Sequence, residues 1–333
     1  MSLKKLNYIG SKFSLLSFIN NTIAKCTGCD NFRNKKIVDV FAGTSSVGFH
    51  FRKLGCNVIS NDLEYYSYVI ARASICCDFS VRIENIIKEF NLLDGVNGIL
   101  TKNYAEDRKY FTVENGKIID AMRLKLEEIK GTLLDDEYYF LLASIIVSAD
   151  SIANVPSIYG SYLKQYKKTA LKTMILEPIH REIEHHPDNR VYNEECLNLI
   201  DKLGKVDWVY MDPPYNERQY GKNYHVLNYI GRYDSEMEIY GKTGLIRETV
   251  LSDWCSRGKA EGMLERFMEK IGMKTDWVFM SYNNEGIIES DRIKEIFTKN
   301  CDMELVSMEY KRFKNFSYND SGMTNENIWV GRY

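Results

Sequence analysis

The chain is short of net charge, of clustered cysteines and of long apolar runs, and each shortage narrows what it can be. Lys and Arg number 44 and Asp and Glu 46, a formal net charge of −2 over 333 residues. No overall field draws in a polyanion, so any contact with nucleic acid must come from local patches. The 8 cysteines are scattered, with Cys26/Cys29 and Cys76/Cys77 the close pairs. Cys26-Thr27-Gly28-Cys29 has CxxC spacing, yet no second CxxC or His pair completes a zinc set. The expectation is no metal and free thiols in a reducing compartment. The first residues lack a signal-peptide pattern and no apolar run reaches membrane length, which predicts a soluble, cytoplasmic protein without a membrane partner. Internal repeats and low-complexity tracts are missing too. So are the phosphate fingerprints: Ser45 replaces the second Gly of GxGxxG, Phe49 follows Gly48, and Gly241-Lys242-Thr243-Gly244 lacks the upstream Walker glycine. NTP hydrolysis on a P-loop is discounted.

What is present starts with a 44% hydrophobic content, enough for a large core, and 23 Tyr, enough for stacking surfaces as well. The stretch Asp207-Trp208-Val209-Tyr210-Met211-Asp212-Pro213-Pro214-Tyr215 opens as a buried parallel strand. Pro213 and Pro214 then remove two backbone donors and fix φ, so the chain leaves the sheet at Asp212. Ligands of open α/β sheets lie just beyond the carboxyl ends of strands. Asp212 and the carbonyl beside it make an acceptor-only corner suited to an exocyclic NH₂, and Tyr215 adds a face for a flat heterocycle.

The rest of the chain supplies a frame for that corner. Lys36–Phe41 reads as a strand, Ala42–Gly48 as a glycine-containing loop and Phe49–Leu54 as a helix, the first βα unit of a doubly wound sheet. Asn57–Glu64 is a second strand ending in acids, where Asp62 can meet ribose hydroxyls. Upstream, Gly10 and Ser11 would give a close approach and an N-cap to a helix over Phe13–Ile23. Residues 65–183 are mostly helical, with helices expected over Ser80–Leu100, Lys117–Ile129 and Asp135–Ala149 and a turn at Asn115-Gly116. Tyr159–Lys172 interleaves Tyr with Lys, a pattern suited equally to phosphate contact and to a solvated basic face. Strands are expected at Arg190–Cys196, Trp277–Tyr282, Glu304–Tyr310 and Ile328–Gly331, with basic Lys311-Arg312-Phe313-Lys314 between the last two. Helices are expected over Leu197–Leu203, Ala260–Ile271 and Ser290–Thr298, and loop chemistry over Asn216–His225.

In this order the motifs resemble those of a Dam-like DNA adenine-N6 methyltransferase, over nearly the whole chain. Tyr8-Ile9-Gly10-Ser11-Lys12 is similar to the family's N-terminal cofactor motif, and Asp39–Gly48 to its S-adenosylmethionine loop, with Ser45 where Gly is usual. Asn61-Asp62 matches the ribose acid. Asn193-Glu194-Glu195 matches the strand-four motif, with Glu195 where Asp is commoner. Asp212-Pro213-Pro214-Tyr215 matches the catalytic motif in full, and Ser281–Gly286 resembles the fifth-strand segment.

The resemblance implies an α/β, Rossmann-like S-adenosylmethionine-dependent methyltransferase fold, a seven-stranded mixed sheet carrying a helical DNA-recognition insertion. Residues 1–78 and 185–333 would form the catalytic domain and 79–184 the insertion, with a further DNA contribution from 216–257. Catalysis would fall to Asp212, Pro213, Pro214 and Tyr215. The cofactor would be held by Tyr8, Gly10, Ser11, Lys12, Asp39, Phe41, Ala42, Gly43, Thr44, Ser45, Ser46, Val47, Asp62, Leu63, Glu195, Cys196 and Asp212. DNA phosphates would meet Tyr162, Lys164, Lys167, Lys168 and Lys172. Double-stranded DNA is the implied partner and a cognate restriction endonuclease a second. The family pattern puts Ser first for cytosine N4 and Asn first for glutamine, so Asp212 favours adenine, while an RNA acceptor or a silent nucleic-acid-binding module stays open.

Overall fold

The computed structural model describes residues 3–311 and 323–333. Of the basic run 311–314, residues 312–314 lie outside the described residues. The strands are β1 (Lys36–Asp39), β2 (Asn57–Asn61), β3 (Arg190–Tyr192), β4 (Trp208–Met211), β5 (Ile239–Tyr240), β6 (Leu245–Ile246), β7 (Trp277–Asn283), β8 (Asp302–Lys311) and β9 (Met323–Arg332). Seven of them form one sheet in the order β3-β2-β1-β4-β7-β9-β8, and β5 and β6 make a separate ribbon. Strands β3, β2, β1, β4 and β7 run parallel. β9 is antiparallel to both β7 and β8, so the sheet is mixed, as the sequence predicts.

Helices α1 (Leu16–Thr27), α2 (Ser46–Lys53), α3 (Tyr65–Ala71), α4 (Val81–Phe90), α5 (Val113–Ile129) and α6 (Asp135–Ser151) precede β3. After it come α7 (Cys196–Lys202), α8 (Tyr220–Asn223), α9 (His225–Arg232), α10 (Ala260–Ile271) and α11 (Ser290–Asn300). Both sheet faces are covered, which is why the central strands read as unbroken apolar runs. Ile37, Trp208, Tyr210 and Phe279 point into one core with α1, α2, α3 and α6. Val38, Val209, Met211, Val278 and Met280 point into the other with α7, α10 and α11. From β1 the chain builds outward to β2 and β3, then returns to build β4 and β7 on the other side. A crevice therefore opens beyond the carboxyl ends of β1 and β4.

The helical segment before β3 packs into that frame. α6 lies against α3 and α9, and its Phe140 meets the buried His180 ring edge-on at 4.9 Å. One apolar cluster runs from Phe51 and Val69 through Leu142 and Ile146 to Ile230.

Four local expectations are corrected. The helix from Ser80 ends at Phe90, because the Asn91 amide turns away to pair with the Leu176 backbone at 2.7 and 2.9 Å. The chain then passes so close to α5 that a Cβ on Gly98 would fall 2.5 Å from Asp120. Asn115-Gly116 is no turn; it lies in the first turn of α5, capped by Thr112. There the Asn115 amide holds the backbone of Ala170, Lys172 and Met174, and a Cβ on Gly116 would meet Ala105 at 2.9 Å. The loop expected over 216–225 closes into helix at Tyr220 as Tyr220 and Tyr224 pack on Tyr8. Ser11 makes no side-chain cap; the helix opens with a tight turn over Lys12–Leu15 instead.

Candidate active site

The crevice is a cavity of about 380 Å³, within the range of small-molecule sites. Four stretches that the sequence singled out line it: Tyr8–Lys12, Asp39–Val47 without Val40 and Ser45, Asp62-Leu63, and Glu195-Cys196. Asp212 and Pro214 line it as well, whereas Pro213 and Tyr215 do not. The half-buried ring of Tyr215 sits behind Gly10, close enough that a Cβ there would be 3.5 Å from it.

Backbone N–H groups hold the acids on the β1 and β2 side. Asp62 accepts from Gly43 N at 2.7 Å and from Glu64 N at 2.9 Å. Burial still pushes its carboxyl up to about 6. Asp39 accepts from Gly48 N at 3.1 Å, and burial, with Asp212 and Asp62 adding, pushes it up to about 7. Gly48 packs tightly here: a Cβ would lie 2.8 Å from Ser60 Oγ and 3.1 Å from Ile75 Cδ1, so those side chains would have to shift to admit one. Gly43 has φ +51, and Tyr8 closes over it at 3.2 Å from where a Cβ would stand. Ser45, between them, adopts φ 59 without being glycine, and its buried Oγ has no partner among the described residues.

On the β4 side, side chains hold the acid. Lys12 Nζ lies 3.2 Å from Asp212 Oδ1 and 2.8 Å from Glu326 Oε1, with all three side chains largely buried. Burial pushes the Asp212 carboxyl up to about 6 even though Lys12 opposes it. Burial alone would lower the Lys12 ammonium; the two carboxylates outweigh it and leave it raised.

Glu195 spends one oxygen on the N-terminus of α7, accepting Leu197 N at 2.8 Å, while the other faces Cys196 Sγ at 3.0 Å. Lys164, Lys168 and Lys172 are exposed and do not line the cavity. Lys167 instead donates to the Val155 carbonyl at 3.0 Å, and Tyr162 meets Tyr110 edge-on at 5.0 Å.

Sequence reasoning missed several lining residues. Glu64 accepts from Asn228 at 2.8 Å, and burial pushes it up to about 7. Its place two residues past Asp62 was the available signal. Tyr220 and Trp254 also line the cavity. Trp254 stands edge-on to Phe41 and donates to Cys196 Sγ at 3.2 Å, from a segment without helical or strand period. Glu326 does not line the cavity; it reaches Lys12 from behind, through the pairing of β9 with β7 opposite Asn283.

A donor with a cationic centre and a ribose fits these residues. Asp39 Oδ1 is buried on the cavity wall with no partner among the described residues. Seven acids and five aromatic residues line the cavity against two basic residues, Lys12 and Arg266, which suits a sulfonium. Among the described residues no group of His, Cys, Asp and Glu could hold a metal ion, and no helix is long and apolar enough to cross a membrane.

A family model described as D12 class N6 adenine-specific DNA methyltransferase matches residues 8–296. The chain is 40% identical over 316 residues to the Type II methyltransferase M.NlaIII of Neisseria lactamica, covering 93% of this chain and 92% of that protein. It is 36% identical to the Type II methyltransferase M.CviAII of Paramecium bursaria Chlorella virus 1, covering 94% of each. Against the Type II methyltransferase M.FokI of Planomicrobium okeanokoites it is 33% identical over 97% of this chain but only 52% of that longer protein.

Proposed function

This chain belongs to the D12 class N6 adenine-specific DNA methyltransferase family, and we propose that Asp212 and the Pro213 carbonyl accept the two protons of the target N6 amine. The enzyme transfers a methyl group from S-adenosylmethionine to adenine in DNA. When bound, that donor supplies an electrophilic methyl on a cationic sulfur.

The amine of adenine is a poor nucleophile because its lone pair is delocalised into the ring. Two acceptors at one corner let the nitrogen pyramidalise and turn that pair toward the methyl. Lys12 fixes Oδ1 of Asp212 and leaves Oδ2 for the amine. A carboxyl pushed up to about 6 is ionised at neutral pH and basic enough to take the proton that N6 sheds as its new bond forms. Tyr215 stacks on an adenine extruded from the duplex, since a paired base cannot reach the corner. Asp62 would hold the donor ribose and Asp39 its cationic end, with Tyr8, Phe41 and Leu63, which line the same cavity, closing around it. Holding methyl and amine in line removes much of the entropic barrier.

The observation that carries this reading is the Asp212–Lys12 pair at the open end of β4, on the wall of the same cavity as Asp39 and Asp62. We assign DNA recognition to residues 79–184 with help from 216–257, and phosphate contact to exposed Lys164, Lys168 and Lys172. The enzyme works in the cytoplasm with its DNA. Relatives named Type II methyltransferases support a role as the modification half of a restriction pair with a cognate endonuclease.

The test expresses wild type and Asp212→Ala and sequences cellular DNA by a modification-sensitive method. The wild type should mark N6 of adenine at one short sequence. The variant should lose the mark while still binding S-adenosylmethionine. Marks persisting in the variant would end the proposed role of Asp212, and wild-type DNA without any N6-methyladenine would end the reading of the site as an adenine pocket.

A further inference from the structure

A buried lysine facing one carboxylate neutralises it; Lys12 faces two. Its Nζ lies 2.8 Å from Glu326 Oε1 and 3.2 Å from Asp212 Oδ1. The side chains of Lys12 and Glu326 are each only 9% exposed. Glu326 comes from β9, paired with Asn283 of β7 on one side and with Met308 of β8 on the other, so a strand held along both edges sets its position. The other ionisable groups near Asp212 are Asp39 from β1, Tyr210 from β4, and Tyr215 and Tyr220 from the chain that follows. None of them is a cation. Tyr210 is occupied by Ser281 Oγ on β7 at 2.9 Å.

We propose that Glu326 is a positioning residue for methyl transfer: it holds Lys12 from the far side, fixing the ammonium on Oδ1 of Asp212 and leaving the acceptor corner one net negative charge. The inference rests on the reading in which Asp212 accepts the amine, and deepens it.

The charge matters because of what arrives. As the N6–methyl bond forms from the nitrogen lone pair, the carbon–sulfur bond breaks with its pair on sulfur. The amine takes up the positive charge and then gives one proton to Asp212. With Glu326 present, that developing cation meets a corner of charge −1. With a neutral residue in its place, Lys12 and Asp212 cancel and the cation meets a neutral corner. Charge that complements the transition state better than the ground state lowers the barrier. Glu326 also raises the Asp212 carboxyl, which keeps it basic enough to receive the proton.

The experiment compares wild type with Glu326→Gln and Glu326→Asp in steady-state methylation of duplex DNA across pH 5 to 9. Glu326→Gln keeps size and loses charge; it should lower kcat about tenfold to a hundredfold, an effect smaller than removing a direct donor. KM for the donor and for DNA should change by less than about threefold, the signature of an interaction made in the transition state. The acid limb of the kcat profile should move to lower pH, since Asp212 loses a neighbour that raises it. Glu326→Asp keeps the charge and should retain kcat within about threefold of wild type. An unchanged kcat and an unmoved limb in Glu326→Gln would overturn the proposal. An equal fall in Glu326→Asp would also overturn it, because side-chain length and not charge would then matter. Asp212→Asn run alongside separates the two claims. If it stays active, the reading of Asp212 fails; if it is dead while Glu326→Gln is fully active, only the role of Glu326 fails.

Discussion

Three carboxylates sit at the carboxyl edge of one sheet, and they are held by opposite means. Asp39 and Asp62 are held by backbone N–H groups of the loop after β1 and the first turn of α2, from Gly48 nine residues past Asp39 and from Gly43 nineteen residues before Asp62, with Glu64 N adding for Asp62. Asp212 is held by a lysine 200 positions upstream, itself pinned by a glutamate 314 positions from that lysine. Backbone donors fix an acid where its oxygens must hold a ligand still. In the proposed mechanism, a long lysine between two carboxylates gives Asp212, the acid that would receive the proton, a partner whose charge Glu326 offsets. The donor half of the site is thus a rigid cradle, and the acceptor half a charge balance.

The sharpest way to break this contrast is to remove one acid from each half. Asp62→Ala should raise KM for S-adenosylmethionine about tenfold to a hundredfold, the worth of one or two hydrogen bonds to a charged group. Its kcat at saturating donor should stay within a few fold of wild type. Asp212→Ala should do the reverse, losing turnover with donor affinity kept. Isothermal titration for affinity and single-turnover methylation for the chemical step would check both. Equal losses of kcat in the two variants would show that the halves do not act separately.

The two halves also differed in how far the sequence disclosed them. The cradle is written in consecutive residues: a strand, a loop with Gly43 and Gly48, and a strand-end acid at Asp62. Asp212 was equally plain, because Pro213 and Pro214 can only end a strand. Its support was not. Lys12 stood out as part of a motif, but no local signal ties it to Asp212, and nothing around Glu326 distinguishes it from an exposed strand residue until β9 pairs with β7. Trp254 reaches the cavity from a segment without period, for the same reason. The sheet was legible from apolar runs that alternate between two cores. Helix limits were less so: α4 ends where the Asn91 amide pairs with Leu176, eighty-five residues along the chain, and Asn115 in the first turn of α5 holds the backbone of Ala170, Lys172 and Met174.

A smaller effect sharpens the comparison through pH. Glu64 belongs to the cradle, and burial pushes its carboxyl up to about 7, above its ordinary value of 4.5. The folded state therefore keeps a proton that the unfolded state releases. The stability this contributes is full below about pH 4 and is lost as pH rises through 7. Glu64→Gln removes that dependence. Its melting temperature relative to wild type should rise between pH 5 and 8, by on the order of 2 °C for a chain of this size. Measuring the difference between the two proteins cancels other titrating groups, including buried His180 and His225. A difference that is flat or falls with pH would remove Glu64 from the buried acids of the cradle.

The smallest effect concerns Ser45, the one position where the cradle works against its own residue. Its φ of 59 lies in the left-handed region, which costs a residue with a Cβ roughly 1–2 kcal/mol. The buried Oγ adds an unpaired hydroxyl among the described residues. Ser45→Gly removes both costs, and the greater freedom of glycine in the unfolded chain returns about 0.4–1 kcal/mol of the gain. The net is a stabilisation of about 1 kcal/mol, a rise in melting temperature on the order of 2 °C for the donor-free protein. With donor bound, the comparison asks whether a cradle built from backbone needs this side chain at all. Affinity for S-adenosylmethionine unchanged in Ser45→Gly would mean that backbone N–H groups do the holding. A fall in affinity of about tenfold, with the donor-free protein still stabilised, would assign Oγ to the ligand and account for a serine kept at a strained position.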